Sequence, residues 1–167
     1  MGINLHAFNF LHKISKIMKF RNTLTLGKLK VYFDSIAVNE ILNKNQKEIL
    51  NNNIYDYTYI NNFLIHLFGS YKLDVLNTNN YENPNIIHNL NYDVPEELKD
   101  KYDLIIDGGS LEHLLDIKTA LTNLKKMCKI NGKIIYISSA NNFCVHGFYQ
   151  FSPNLFGSFY GKSQDFR

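Results

Sequence analysis

The stretch from Tyr102 to Ser138 constrains this chain more than any other. Tyr-Asp-Leu-Ile-Ile-Asp, residues 102–107, is a continuous apolar run bounded by acids. Such a run is expected of a strand covered on both faces, because a strand with one wet face alternates instead. Gly108 and Gly109 end it. Asp116 is placed to cap a helix whose apolar positions Ile117, Ala120, Leu121, Leu124 and Cys128 recur at helical spacing. Asn131-Gly132 supplies a return turn, and Lys-Ile-Ile-Tyr-Ile-Ser (133–138) is the next strand. Strand, helix of about a dozen residues and strand again make a right-handed crossover with parallel strands. The expected class is therefore α/β.

The flanking sequence extends the pattern. Residues 5–20 carry Leu5, Phe8, Leu11, Ile14, Ile17 and Met18 among Lys13, Lys16 and Lys19, an amphipathic N-terminal helix. Packing on a sheet is the expectation for it, with a membrane surface as the alternative. Residues 23–33 predict strand one with a turn at Gly27, and residues 36–50 and 56–68 predict helices, the latter capped by Gly69. Residues 72–77 and 85–90 predict two short strands, and Pro95 opens a short helical segment. Ser152-Pro153 marks one more helix start. Five parallel strands in the order 3-2-1-4-5, in one domain spanning 1–167, are expected. The last strand would be an open edge available to the tail (138–167), to a second copy or to another partner.

The chain has 167 residues, 45% of them hydrophobic and 20% charged, which suits one packed domain. A net charge of +3 without a clustered basic patch gives no reason to expect nucleic acid. No apolar run approaches the roughly 18 residues of a membrane span. The N-terminus shows no signal-peptide core, and Cys128 and Cys144 are too few for a disulfide framework, so a cytoplasmic protein with reduced thiols is expected.

In open parallel sheets, ligands sit beyond the carboxyl ends of the strands. Asn77, Asn89, Asp107, Ser110, Glu112, His113 and the segment from Ser138 to His146 all fall there. His113 and His146 follow neighbouring strands. One of them could serve as a general base near neutral pH; the alternative is that His113 donates a hydrogen bond to backbone and holds the turn. Glu112 has two readings, contact with a ligand or capping of the following helix. Asp107 points into the site or bonds to the Gly108-Gly109 turn. Asp107, Glu112, His113 and His146 are metal-ligating types, but no compact spacing links them, so no metal is expected. His6, His12, His66 and His88 show no pattern. Phe143, Phe148, Tyr149, Phe151 and Phe156 line a pocket or cover core.

Tyr102–Asp107 followed by Ser110-Leu111-Glu112-His113 resembles the fourth strand and turn of class I S-adenosylmethionine-dependent methyltransferases, which have a Rossmann-like fold. Lys129-Ile130-Asn131-Gly132 stands where the family often has Lys-Pro-Gly-Gly. The stretches YENPNIIHNLN and NNFCVHGFYQFSPNLF look like segments of one methyltransferase subgroup, so the likeness covers most of 72–156. It implies S-adenosylmethionine lying across Gly27, Asn77 and Asn89, with Asp107 and Glu112 also contributing. It further implies methyl transfer to an oxygen or nitrogen of a small or sugar-like acceptor, with His113 and His146 as the catalytic candidates. Three positions depart from the family pattern. The first-strand turn Thr25-Leu26-Gly27-Lys28-Leu29 has one glycine and no acid, and Asn77 and Asn89 stand where carboxylates usually grip the ribose and the adenine. A neutral amide in place of a charge-assisted contact weakens binding by about 1.5–3 kcal/mol. The family's C-terminal hairpin has no room in the residues after Ser138. These departures fit an alternative in which a truncated, inactive methyltransferase fold serves as an interaction module.

Overall fold

A computed structural model describes residues 2–33, 41, 42, 47 and 59–161. Its main sheet has five strands: β2 (Asn22–Leu26), β4 (Lys72–Asn77), β5 (Ile86–Ile87), β6 (Tyr102–Asp107) and β7 (Cys128–Tyr136). They lie in the order β5-β4-β2-β6-β7, and every pairing is parallel. That is the 3-2-1-4-5 order of a Rossmann-like sheet, as expected. A smaller parallel pair joins β1 (Gly2–Asn4) to β3 (Lys30–Tyr32).

Side chains alternate across the sheet with the period of two that a strand imposes. Leu104, Ile106 and Ile135 enter a core shared with α1 (Leu5–Ile17) and α2 (Asn61–Phe68), whose Phe8, Leu11, Phe63, Leu64 and Phe68 are buried. Leu24, Leu26, Leu76 and Ile105 enter the opposite core, closed by Ala120, Leu121 and Leu124 of α3 (Ile117–Met127) and by Phe151. Helices thus cover both faces, which explains why Leu104, Ile105 and Ile106 are apolar in succession.

The N-terminal helix is packed, as its spacing predicts, and Asn4 caps it by accepting the Ala7 N–H. Asp116 caps α3 by accepting the Thr119 N–H. Gly69 ends α2 in the left-handed region at φ 67°. No helix among the described residues is long and apolar enough to cross a membrane.

Four expectations change. The strand expected over 23–33 breaks at Gly27 (φ 73°), whose N–H is donated to Leu76 O. Beyond the break the chain leaves the main sheet and pairs as β3 with a strand at the N-terminus that local pattern does not announce. The strand expected over 85–90 pairs only through Ile86–Ile87. Asn85 spends its side chain on the Val75 N–H and Asp74, and Asn89 folds the chain into a turn. The Asn131-Gly132 turn is an irregularity inside β7, where pairing passes from Tyr102↔Cys128 directly to Leu104↔Lys133. The strand then ends at Tyr136 and not at Ser138. The helix expected over 36–50 and the first turn of that expected over 56–68 lie largely outside the described residues.

The tail folds back as α4 (Pro153–Tyr160). Phe156 stacks on Tyr136 at 4.1 Å between ring centroids, and the Tyr160 hydroxyl meets that of Tyr136. The tail therefore packs against the end of the fifth strand.

Candidate functional site

All five strands of the main sheet point their carboxyl ends at one rim. The turn Gly108–His113 leaves β6 there and divides the rim into two hollows.

The first hollow encloses about 310 Å³ and is lined by Leu26, Leu76, Asn77, Thr78, Leu90, Ser110, His113 and Leu114. Leu26 ends β2 and Asn77 ends β4, so the hollow opens where the order of connections reverses beside β2. That is the switch point at which open α/β sheets bind ligands. Four leucines supply its apolar lining, and Asn77, Thr78, Ser110 and His113 supply its polar groups. Its floor is held from outside. Asn123, fully buried on α3, donates its amide to Leu90 O and Tyr92 O and accepts the Val94 N–H, which pins the segment bearing Leu90.

The second hollow, about 440 Å³, lies between β6, β7 and the small sheet. Its lining includes Gly2, Asn4, Gly109, Glu112, Ser139 and His146. Glu112 is buried, with only 3% of its side chain exposed, and its Oε1 lies 3.0 Å from Nε2 of the half-exposed His146. The His113 ring meets that of His146 edge-on at 5.2 Å. Two residues adjacent in sequence are thereby joined to a third lying 34 positions beyond Glu112.

Backbone contacts set this arrangement. The Glu112 carbonyl accepts the N–H groups of Phe148 (2.6 Å) and Tyr149 (3.3 Å). Gly147 sits at φ 72° so close that a Cβ there would lie 2.7 Å from Glu112 O. Only glycine fits both the conformation and the approach. Val145, two residues before it, is held at φ 64°, a strained conformation for a β-branched residue.

The predicted site residues divide accordingly. Asn77 lines the first hollow, but its Oδ1 accepts the Thr78 N–H and its Nδ2 approaches Tyr81 O. Gly27 adjoins that hollow through Leu26, its N–H occupied by Leu76 O. Asn89 lies outside both linings, its Oδ1 taken by the backbone and side-chain amides of Asn91. Asp107 is fully buried and takes the turn-holding alternative: Oδ1 accepts the Ser110 N–H at 2.7 Å, and Oδ2 is 3.4 Å from Ser138 Oγ. Burial pushes its carboxyl up to about 6, against the pull of the Ser110 N–H. Glu112 and His146 share the second hollow, whereas His113 lines the first and touches the second through His146.

Ser110 belongs to the first hollow and donates its hydroxyl to Leu26 O, tying the turn after β6 to the end of β2. Its position after a strand is the only sequence sign of that role. Gly2 and Asn4 gave none, since only the pairing of β1 with β3 brings the N-terminus to the rim. The Gly2 N–H completes the arrangement by donating to Gly108 O at 2.8 Å.

No family model matches the chain, and no curated protein matches it. Among solved structures the chain is similar to the trans-methyltransferase CalH, crystallised in complex with SAH. The identity is 10% and the TM-score 0.41, over 76% of this chain and 34% of that one. The chain thus spans about a third of the length of the structure it resembles.

Proposed function

We propose that this chain is a methyltransferase-like protein that binds S-adenosylmethionine in the first hollow and a small hydroxylated or amine acceptor in the second. The observation that supports it most is the coincidence of two features. The strand order places a leucine-lined hollow at the switch point, and the Ser110–His113 block that resembles the methyltransferase turn forms one of its walls.

The residues present fit the nucleoside half of the cofactor. Leu26, Leu76, Leu90 and Leu114 offer apolar walls for the adenine, and Thr78 and Ser110 line the same hollow with polar atoms for the ribose. No carboxylate lines this hollow among the described residues, so the binding comes chiefly from apolar burial and neutral hydrogen bonds. When bound, S-adenosylmethionine supplies a methyl group on a positively charged sulfur, which keeps the electron pair as the bond to carbon breaks. His146, held by Glu112, is placed to receive the proton that an acceptor hydroxyl gives up as its oxygen bonds to carbon. The Gly108–His113 turn separates the two hollows and sets the distance between donor and acceptor.

Calorimetry with S-adenosylmethionine tests this reading. Micromolar binding that weakens in Leu90→Asp supports it; no heat at millimolar cofactor with folded protein refutes it.

Two observations favour a second reading, an inactive fold used as an interaction module. The chain after Gly27 runs into β3 rather than a helix facing the rim, and Asn77 and Asn89 are committed to their own loops. In that case the outer edge of β7, which pairs with no other strand among the described residues, is the surface for a second copy or a partner. Sedimentation reporting a strict monomer that turns over the cofactor refutes this alternative.

A further inference from the structure

We propose that Glu112, His113 and His146 bind one divalent transition-metal ion of the zinc class at the second hollow. The site can be tested separately from the cofactor reading: its three donors meet without a nucleoside, although His113 also lines the first hollow.

The three residues each offer one donor atom, and these atoms lie within 4.8 Å of one another. Two imidazoles and a carboxylate are a donor set that zinc and its neighbours accept with one position left open. Donors around a tetrahedral ion at about 2.1 Å lie roughly 3.4 Å apart. The Glu112–His146 pair, at 3.0 Å, is already closer than that. The remaining closure falls on His113, whose ring is exposed and already meets that of His146 edge-on.

A second observation points to a ligand. Glu112 Oε2 is buried and has no hydrogen-bond partner among the described residues, although the carboxylate is 3% exposed and its other oxygen faces His146. A buried carboxylate oxygen left unpaired is costly, and burial of the group without compensation is rare. The Glu112–His146 hydrogen bond satisfies Oε1 only. An ion between the two rings and the carboxylate offers Oε2 a cationic partner as well.

The surroundings are built to hold these donors still. Gly109, at φ 96°, leaves the space beside the carboxylate open; a Cβ there would approach Oε1 to 3.2 Å. The double acceptance by the Glu112 carbonyl and the packing of Gly147 fix the loop carrying His146, and the strain at Val145 is confined to the residue next to that ligand. Asn4, Ser138 and Ser139 line the same hollow as Glu112 and His146. A hydroxyl bound to such an ion would release its proton to solvent water near neutral pH, because the ion's charge would stabilise the alkoxide or hydroxide. In the metal-loaded protein that effect replaces His146 as the means of ionising an acceptor.

The experiment uses the full chain stripped with a chelator and titrated with Co2+, followed by Zn2+ competition. The expected result is one ion per chain with the visible absorption of a four- or five-coordinate nitrogen and oxygen site. Affinity should fall at least about tenfold in His113→Ala and again in His146→Ala, whose side chains are both solvent-accessible. Circular dichroism of the variants guards against unfolding. In the parent protein, 15N shifts of the histidine rings on adding Zn2+ give a readout that needs no variant: two rings should move, and the assignments should be His113 and His146. Undiminished binding in both variants, movement of other histidines alone, or no binding at millimolar metal overturns the proposal. A chain that takes cobalt but not S-adenosylmethionine refutes the proposed function and leaves this site standing; the converse refutes the site alone.

Discussion

Asp107→Asn is the substitution with the clearest expected signature. The carboxyl group is fully buried at the end of β6, and its pKa is raised from the ordinary 3.8 to about 6, chiefly by desolvation. A folded-state pKa above the unfolded one means that the folded protein holds the proton more tightly. The resulting stability is fully present below the unfolded value and is lost as pH rises through the folded one. The window here runs from about pH 4 to somewhat above pH 6, and a displacement of this size is worth on the order of 3 kcal/mol across it. The amide keeps the acceptor that meets the Ser110 N–H at 2.7 Å and turns a donor toward Ser138 Oγ, without charge. Urea denaturation of parent and variant at half-unit steps from pH 4.5 to 7.5 isolates the effect, because the other titrating groups are common to both proteins. The stability of D107N relative to the parent should climb by roughly 2 kcal/mol over that range. A difference that stays flat with pH refutes the reasoning. It would mean that hydrogen bonds to the carboxylate offset its burial, so that Asp107 titrates alike in the folded and unfolded chains.

Three other outcomes follow from named contacts. Asn123→Ala strands Leu90 O, Tyr92 O and the Val94 N–H and should cost about 2–4 kcal/mol in chemical denaturation, with nucleoside binding weakened more than in a surface control. Gly147→Ala meets both a positive φ and a backbone oxygen 2.7 Å away, so it should lose roughly 2 kcal/mol and open the loop around 140–150 to limited proteolysis; an intact loop would contradict the assigned clamp. Val145→Asn relieves a left-handed β-branched residue whose side chain is fully exposed and should raise stability by up to about 1 kcal/mol, read as a higher midpoint at unchanged m-value.

Much of the fold was legible in local pattern. The apolar run of residues 102–107 announced a strand buried on both faces, and Leu104, Ile105 and Ile106 are indeed fully buried, alternating between two cores. Asp116, Gly69 and Ser152 marked helix ends correctly because a cap is a contact between residues a few positions apart. The parallel order followed from crossover geometry, which constrains topology without reference to any particular side chain. What failed was pairing that depends on distant partners. Lys30–Tyr32 looks like a continuation of β2, and nothing within reach of Gly27 foretells that Gly2–Asn4 will take it up as a partner.

The candidate site divides in the same way. That Asn77, Asp107, Ser110, Glu112 and His113 belong to one rim was determined by sequence, since each follows the end of a strand and parallel strands end together. Which of them line a hollow was decided only by tertiary structure. Asn89 and Asp107 turned out to be occupied by Asn91 and Ser110, because short polar side chains find nearby amides before they find solvent. Glu112, His113 and His146 became a cluster because the Glu112 carbonyl accepts two amides from a loop more than thirty residues away. Spacing along the chain carries no trace of that contact, whose partners meet only once β6 and β7 lie side by side.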